Sequence, residues 1–152
     1  MDHTTGEFRI GRFSAPLDRA YHPSDHTWIR FENEGARIGM DSLGVETAGD
    51  LAQLLLLPEG TVVAEGDELG SIEAQKFVGP LRAPISGMIR ATNEAAMADP
   101  ALVMKDPYGE GWLVFLEVGP DADTAHLIQG DRIPAWFESS LEEFRRQGSV
   151  AE

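Results

Sequence analysis

Short apolar runs separated by glycine, proline and asparagine predict that most of this chain folds into β-hairpins. Thr27–Glu32 is rich in aromatic and β-branched residues, and Asn33-Glu34-Gly35 then supplies the residue types of a tight turn. Similar runs recur along the chain and predict strands at 27–32, 36–40, 51–57, 61–63, 68–73, 88–92 and 112–118. Strands of this length and spacing indicate a mainly β fold, a compact barrel or sandwich built from hairpins.

Two short internal segments carry the signals of helices. Asp41 is a good N-cap residue and Gly49 a good stop, so residues 42–48 are expected to form a helix. Asn93 can cap a second helix over residues 94–98 in the same way.

The C-terminal part of the chain changes from strand to helix pattern. Pro134 suits the first turn of a helix. The apolar side chains that then fall on one helical face are Trp136, Phe137, Leu141 and Phe144. We expect this amphipathic helix to pack against the sheet rather than to recruit a partner. The chain is therefore divided into an irregular N-terminal arm (1–20), a central domain (21–118) and a C-terminal helical extension (119–152).

Charge and composition narrow the classes of function. Asp and Glu total 26 against 12 for Lys and Arg, which gives a net charge of -14. Such a field repels nucleic acid and anionic membranes and favours partners with basic faces. The chain has no cysteine, so a redox-active sulfur would have to arrive on a cofactor. No apolar run is long enough to cross a membrane and the first residues lack a signal pattern, so we expect a soluble, cytoplasmic protein.

The sequence offers no recognisable catalytic constellation. His22 and His26 have the spacing of a helical metal pair, but Pro23 and the strand that follows argue against a helix there. His26, close to Trp28, is better interpreted as a packing or hydrogen-bonding residue. Ser86 precedes a glycine but lacks the frame of a nucleophile elbow. We therefore predict no metal site and no enzymatic activity.

One lysine stands out from this background. Lys76 is one of two lysines in the chain and lies between two strand-like runs, with Glu73 three residues before it. Most lysines at turns are solvated surface charges. A lysine that acts as a base needs burial or a neighbouring cation, whereas this one lies in an expected exposed turn near a carboxylate. It is poorly placed to be a base and well placed to be covalently modified.

The residues around Lys76, with several motifs elsewhere in the chain, resemble the lipoyl-carrying H-protein family of the glycine cleavage system. The motifs, in chain order, are H-x-W-I at 26–29, G-D at 49–50, L-P-E-G-T-x-V at 57–63, E-G-D-x-L-G-x-I-E-x-x-K at 65–76, A-P-I-S-G-x-I at 83–89, Asn93, and D-P-Y-G-E-G-W-L at 106–113. The resemblance implies a flattened barrel-sandwich hybrid of β-hairpins. It also implies lipoate attached through an amide bond to Lys76, and Glu73 on the surface read by a lipoate ligase or lipoyl transferase.

The resemblance further implies a swinging-arm carrier whose dithiol is reoxidised by lipoamide dehydrogenase. The cargo depends on the branch of the family: Phe77-Val78-Gly79-Pro80 departs from the usual glycine cleavage pattern and is similar to H-like lipoate-binding proteins of heterodisulfide-reductase-like sulfur oxidation. That branch is our first expectation. An aminomethyl carrier serving the glycine cleavage enzymes is the alternative, and an unlipoylated docking or regulatory module is a second one. Biotin is disfavoured because Gln75 and Phe77, not methionines, flank the lysine.

Overall fold

The computed structural model describes residues 6–151, in which eleven β-strands and four α-helices follow one another. The strands are Glu7–Ile10 (β1), Phe13–Pro16 (β2), Ala20–Tyr21 (β3), Thr27–Glu32 (β4), Gly35–Met40 (β5), Leu51–Leu56 (β6), Val62–Val63 (β7), Glu68–Ala74 (β8), Val78–Arg82 (β9), Gly87–Thr92 (β10) and Val114–Glu117 (β11). The α-helices are Ser42–Ala48 (α1), Glu94–Ala98 (α2), Ala101–Lys105 (α3) and Ile133–Arg146 (α4), with a 3₁₀ turn at Gly130–Arg132.

Antiparallel sheets enclose the main core. One sheet has six strands in the order β3-β4-β5-β11-β10-β7, and another has three in the order β6-β8-β9. The apolar side chains between them are buried, among them Ile29, Ile38, Leu54, Leu69, Ile72, Ile85, Ile89 and Leu116. Three of the seven pairings in these two sheets are hairpins, namely β3–β4, β4–β5 and β8–β9, and the other four join strands that have other elements between them along the chain. The predicted mainly β fold with short helices and a C-terminal helix is confirmed.

The hairpin formed by β4 and β5 follows the sequence prediction closely. Glu32 pairs with Gly35, so Asn33 and Glu34 form a two-residue turn, and Glu34 adopts a φ of 73°. The helices α1 and α2 also have the predicted bounds. Asp41 caps α1 by accepting a hydrogen bond from the Gly44 amide at 2.8 Å.

Several elements differ from those expected. Residues 6–17 of the arm form the hairpin β1–β2, although their apolar residues looked too irregular for an element; residues 1–5 lie outside the described part of the chain. The helix α3 was not predicted, and the expected strand at 112–118 is shortened to β11. Trp112 lies outside the strand because its backbone is bonded elsewhere: its amide donates to the Gly109 carbonyl at 3.2 Å, and its carbonyl accepts from the Asn93 side chain at 2.7 Å.

A second apolar cluster lies around α4. Its buried members are Phe13, Ala15, Tyr21, Trp28, Leu43, Ile128, Ile133, Phe137, Leu141 and Val150. The predicted amphipathic helix is confirmed, with Phe137 and Leu141 fully buried. Its apolar face packs on the β1–β2 hairpin and on Tyr21 of β3, and the second cluster joins residues of all three segments proposed from the sequence. None of the helices described is long and apolar enough to cross a membrane.

Candidate functional site

Lys76 lies at the tip of the β8–β9 hairpin, with its side chain exposed. The amide of Ala74 donates to the carbonyl of Phe77 at 2.8 Å and closes the turn. Two further backbone bonds hold the tip from outside: the Lys76 amide donates to the Ala48 carbonyl at 2.8 Å, and the Gln75 amide to the Asp50 carbonyl at 2.9 Å. The lysine is therefore presented on a turn whose backbone is fixed by the end of α1.

Gly49 makes this close approach possible. It adopts φ 82° and ψ -165°, a region that residues with a Cβ rarely occupy. A Cβ at this position would lie 3.0 Å from Cβ of Gln75 and 3.3 Å from Cε of Lys76. The glycine therefore both ends α1 and leaves room for the lysine turn.

An ion pair between Arg12 and Glu46 joins the N-terminal hairpin to α1. Arg12 donates two hydrogen bonds to the Glu46 carboxylate, at 3.1 and 2.8 Å. The hydrogen bond from Arg12, aided by the charges of Arg12 and Lys76, outweighs partial burial and lowers the pKa of Glu46 below its ordinary value. The Glu46 carboxylate on α1 is therefore held ionised in an ion pair with Arg12.

Glu73 occupies the outer face of β8. It pairs with Val78 of β9 and with Gln53 of β6, and its side chain is exposed. The two residues that follow the lysine are also unusually open for apolar side chains, since Phe77 is 44% and Val78 73% exposed. The surface around Lys76 therefore combines a carboxylate with uncovered apolar groups.

A cavity of about 470 Å³ opens beside Lys76. Its walls come from the segment before β4, from α1, from the β8–β9 hairpin and from α4. The apolar side chains that line it are Met40, Ile72, Phe77, Pro80, Leu81 and Phe144, and the polar ones include Asp25, His26, Thr47 and Arg82. A volume of this size is in the range of small-molecule sites.

His26 and Asp41 form a buried pair in the wall of this cavity. Nδ1 of His26 lies 2.9 Å from Oδ2 of Asp41, and the His26 ring stacks on Trp136 with centroids 5.1 Å apart. Burial by itself lowers the pKa of His26, but the charge of Asp41 and the hydrogen bond to it outweigh burial, so the pKa is raised above its ordinary value. The interpretation of His26 as a packing and hydrogen-bonding residue is confirmed.

His22 and His26 are not neighbours on a helix. The segment between them is a turn, in which Nδ1 of His22 accepts hydrogen bonds from the Ser24 and Asp25 amides at 3.3 and 3.0 Å. Nδ1 of His26 is engaged by Asp41. The His22 ring therefore stabilises the turn, whereas the His26 ring pairs with Asp41.

Comparison with known proteins identifies the family of this chain. The family model described as glycine cleavage H-protein matches residues 20–139. The chain belongs to the glycine cleavage H-protein family. Its H protein relatives include one from Salinibacter ruber, 35% identical over 114 residues that cover 75% of this chain and 92% of that protein. Another, from Gloeobacter violaceus, is 40% identical over 98 residues, which cover 64% of this chain and 76% of the relative.

A solved structure gives the same result. The crystal structure of a glycine cleavage system H protein from Mycobacterium marinum superposes with a TM-score of 0.72 at 36% sequence identity. The match covers 82% of this chain and 99% of the other. The barrel-sandwich fold expected from the resemblance is therefore shared with an H protein of known structure.

The family match leaves out two parts of the chain, and the second of them adjoins the lysine. The β1–β2 hairpin precedes residue 20, and the last turns of α4 with the segment behind them follow residue 139. From that second part, Phe144 lines the cavity and the carbonyl of Ser149 lies 3.4 Å from Nζ of Lys76. Neither contact was predicted, because nothing in the spacing of the residues relates the C-terminus to the β8–β9 turn.

Proposed function

We propose that this protein is a lipoyl carrier, with lipoate joined to Nζ of Lys76 through an amide bond. The observation that carries the proposal is the exposed lysine on a hairpin tip whose backbone is fixed by α1, in a chain of the H-protein family. When bound, lipoate supplies a dithiolane that accepts a group at one enzyme and releases it at another. The chain's own task is presentation, so we propose no catalytic residue in it.

The cargo that we propose is the aminomethyl group of glycine cleavage. The relatives and the solved structure reported above carry the name glycine cleavage system H protein, which favours this alternative over the sulfur-oxidation branch expected from Phe77-Val78-Gly79-Pro80. A sulfur cargo is the second candidate. The specific observation in its favour is that Phe77 and Val78, which depart from the usual pattern, are exposed directly beside the lysine.

The cavity beside Lys76 fits a carrier whose cargo must be kept from water between partners. Its apolar residues, such as Met40 and Leu81, can cover the sulfur-bearing end of the attached group, because thioether and disulfide sulfur are weakly polar. Asp25 and the ring of His26 offer hydrogen-bonding groups in the same wall. In this proposal these residues hold the loaded end, and Lys76 anchors the other.

The partners that we propose follow from the lipoylation of Lys76 and from the aminomethyl cargo. A lipoate ligase or lipoyl transferase would recognise Glu73 and acylate Lys76, and the glycine cleavage enzymes and lipoamide dehydrogenase would act on the attached group in turn. With a net charge of -14, the carrier is suited to basic docking faces. Electrostatic steering raises the rate of encounter without tight binding, as repeated turnover requires.

Reconstitution with glycine decarboxylase tests the cargo. The lipoylated protein should support release of carbon dioxide from labelled glycine, and Lys76→Arg should abolish it. A second outcome is that the lipoylated protein fails in this assay and forms a mass adduct with a sulfur substrate in the presence of a heterodisulfide-reductase-like complex. That result would favour the second candidate, a sulfur cargo. A protein that never becomes lipoylated would favour a docking or regulatory module instead.

A further inference from the structure

The C-terminal segment behind α4, residues 147–150, has a conformation that its sequence dictates. Gly148 adopts a φ of 77°, and its amide donates to the Arg145 carbonyl at 3.1 Å. The Ser149 amide donates to the Phe144 carbonyl at 2.8 Å. These two bonds, with glycine at the left-handed position, are those of a Schellman motif. The segment, which we call the tail, therefore turns back on the domain instead of continuing the helix.

Val150 anchors the tail. Its side chain is only 3% exposed and belongs to the second apolar cluster, together with Phe13 and Leu141. A turn fixed by two backbone bonds, followed by a buried apolar residue, gives the intervening Ser149 carbonyl a defined place. That place is next to the lysine, because Nζ of Lys76 donates to the Ser149 oxygen at 3.4 Å.

We propose that the tail is a positioning element for the modified lysine, with the Ser149 carbonyl accepting the hydrogen bond of the N–H that remains on Nζ after acylation. The inference rests on the proposed lipoylation of Lys76. It extends that proposal to residues beyond 139, where the family match ends. The Ser149 amide donates to the carbonyl of Phe144, which lines the cavity. The tail therefore connects the attachment point of the lipoyl group to the cavity wall.

The chemistry of acylation leaves this hydrogen bond intact. The amine attacks the carbonyl carbon of an activated lipoate, the new N–C bond forms, and the leaving group departs with the electron pair of its C–O bond. Two protons leave the original ammonium, so one N–H remains and the positive charge is lost. A neutral carbonyl oxygen accepts a hydrogen bond from an ammonium and from an amide alike, whereas a carboxylate partner would lose its ion pair.

The small number of lysines makes the proposal testable by NMR. Protein grown with lysine isotope-labelled at the side-chain nitrogen has labels only at Lys76 and Lys105. After lipoylation, Lys76 alone gives a side-chain amide signal, because the Lys105 ammonium exchanges quickly with water. The rate at which that amide proton exchanges reports its hydrogen bond directly.

Three chains are compared: the full chain, a chain ending at Arg146 that lacks the tail, and a control ending at Val150 that retains it. We expect the amide of Lys76 to exchange about two- to fivefold faster without the tail, the size of effect of one weak exposed hydrogen bond. The control should match the full chain. Val150→Asp, which would bury an unpaired charge, is a second way to release the tail while keeping all residues.

The outcomes separate the two proposals. If the amide signal is present but exchanges at one rate in all the folded chains, the positioning role is wrong while lipoylation stands. If the full chain gives neither the signal nor the mass of a lipoyl group, the proposed function itself fails. Circular dichroism and the backbone amide spectrum establish that each chain is folded; if the shortened chain is not, Val150→Asp and the milder Val150→Ala decide the question.

Discussion

Gly49→Ala is the substitution that most directly perturbs the presentation of Lys76. A non-glycine residue at φ 82°, ψ -165° costs about 1–3 kcal/mol in backbone strain. The new Cβ would also come within 3.0 Å of Cβ of Gln75, closer than side chains ordinarily pack. The turn can relieve both problems by moving away, but it then gives up the bonds to the Ala48 and Asp50 carbonyls, at about 0.5–1.5 kcal/mol each. Either route destabilises the protein by about 2 kcal/mol.

For a chain of this length, that loss lowers the midpoint of thermal unfolding by about 4–8 °C. The assay is calorimetry together with the rate of lipoylation by a lipoate ligase, which should fall because the lysine turn is displaced. Gly60→Ala is the matched control, since Gly60 also has a positive φ, 94°, but a Cβ there would meet nothing within 4 Å. It should lose stability through backbone strain and be lipoylated normally. The reasoning is refuted if Gly49→Ala is lipoylated at the rate of the unmodified sequence, or if Gly60→Ala is slowed equally.

Three further predictions concern the helix cap, the buried pair and the recognition surface. Asp41→Ala removes the α1 cap and leaves buried His26 without its partner, so urea unfolding should show a loss of about 3–5 kcal/mol; a loss below 1 kcal/mol contradicts this. Since the folded-state pKa of His26 is raised, its protonation stabilises the fold fully below about pH 6.5, and this contribution is lost as pH rises through the folded pKa. The free energy of unfolding should therefore fall over that range, and His26→Asn should flatten the dependence; an unchanged slope in the variant would assign it to other groups. Glu73→Gln should lower kcat/KM of lipoylation about tenfold, the loss of one charge-assisted hydrogen bond, with no change in melting temperature. Glu68→Gln, on the same strand, should leave that rate unchanged, and equal rates for both variants would argue against recognition through Glu73.

The parts of the fold that could be predicted from the sequence are those whose signals are local. Asp41 and Gly49 mark the ends of α1 because capping and left-handed backbone conformations select those residue types. The Asn33-Glu34 turn follows from the same kind of preference. Lys76 could be identified from the sequence by elimination. The chain has no cysteine and no recognisable catalytic cluster, so this lysine between two strand-like runs was the remaining candidate for chemistry.

The parts that could not be predicted depend on contacts between distant segments. The β1–β2 hairpin has weak strand signals of its own, and it is stabilised by burying Phe13 and Ala15 in the second cluster around α4. Support of the lysine turn by the Ala48 carbonyl is a backbone contact, which leaves no trace in residue type. The position of Ser149 beside Lys76 joins residues more than seventy apart. Pairings of this kind are decided by tertiary packing and not by local preference.

Intact mass after lipoylation tests the central claim most directly. The purified chain is treated with lipoate, ATP and a lipoate ligase, beside the variants Lys76→Arg and Lys105→Arg, which remove the two lysines in turn. We predict a gain of one lipoyl group in the unmodified sequence and in Lys105→Arg, and no gain in Lys76→Arg. A chain that gains no lipoyl group, or one that still gains it after Lys76→Arg, would contradict the account.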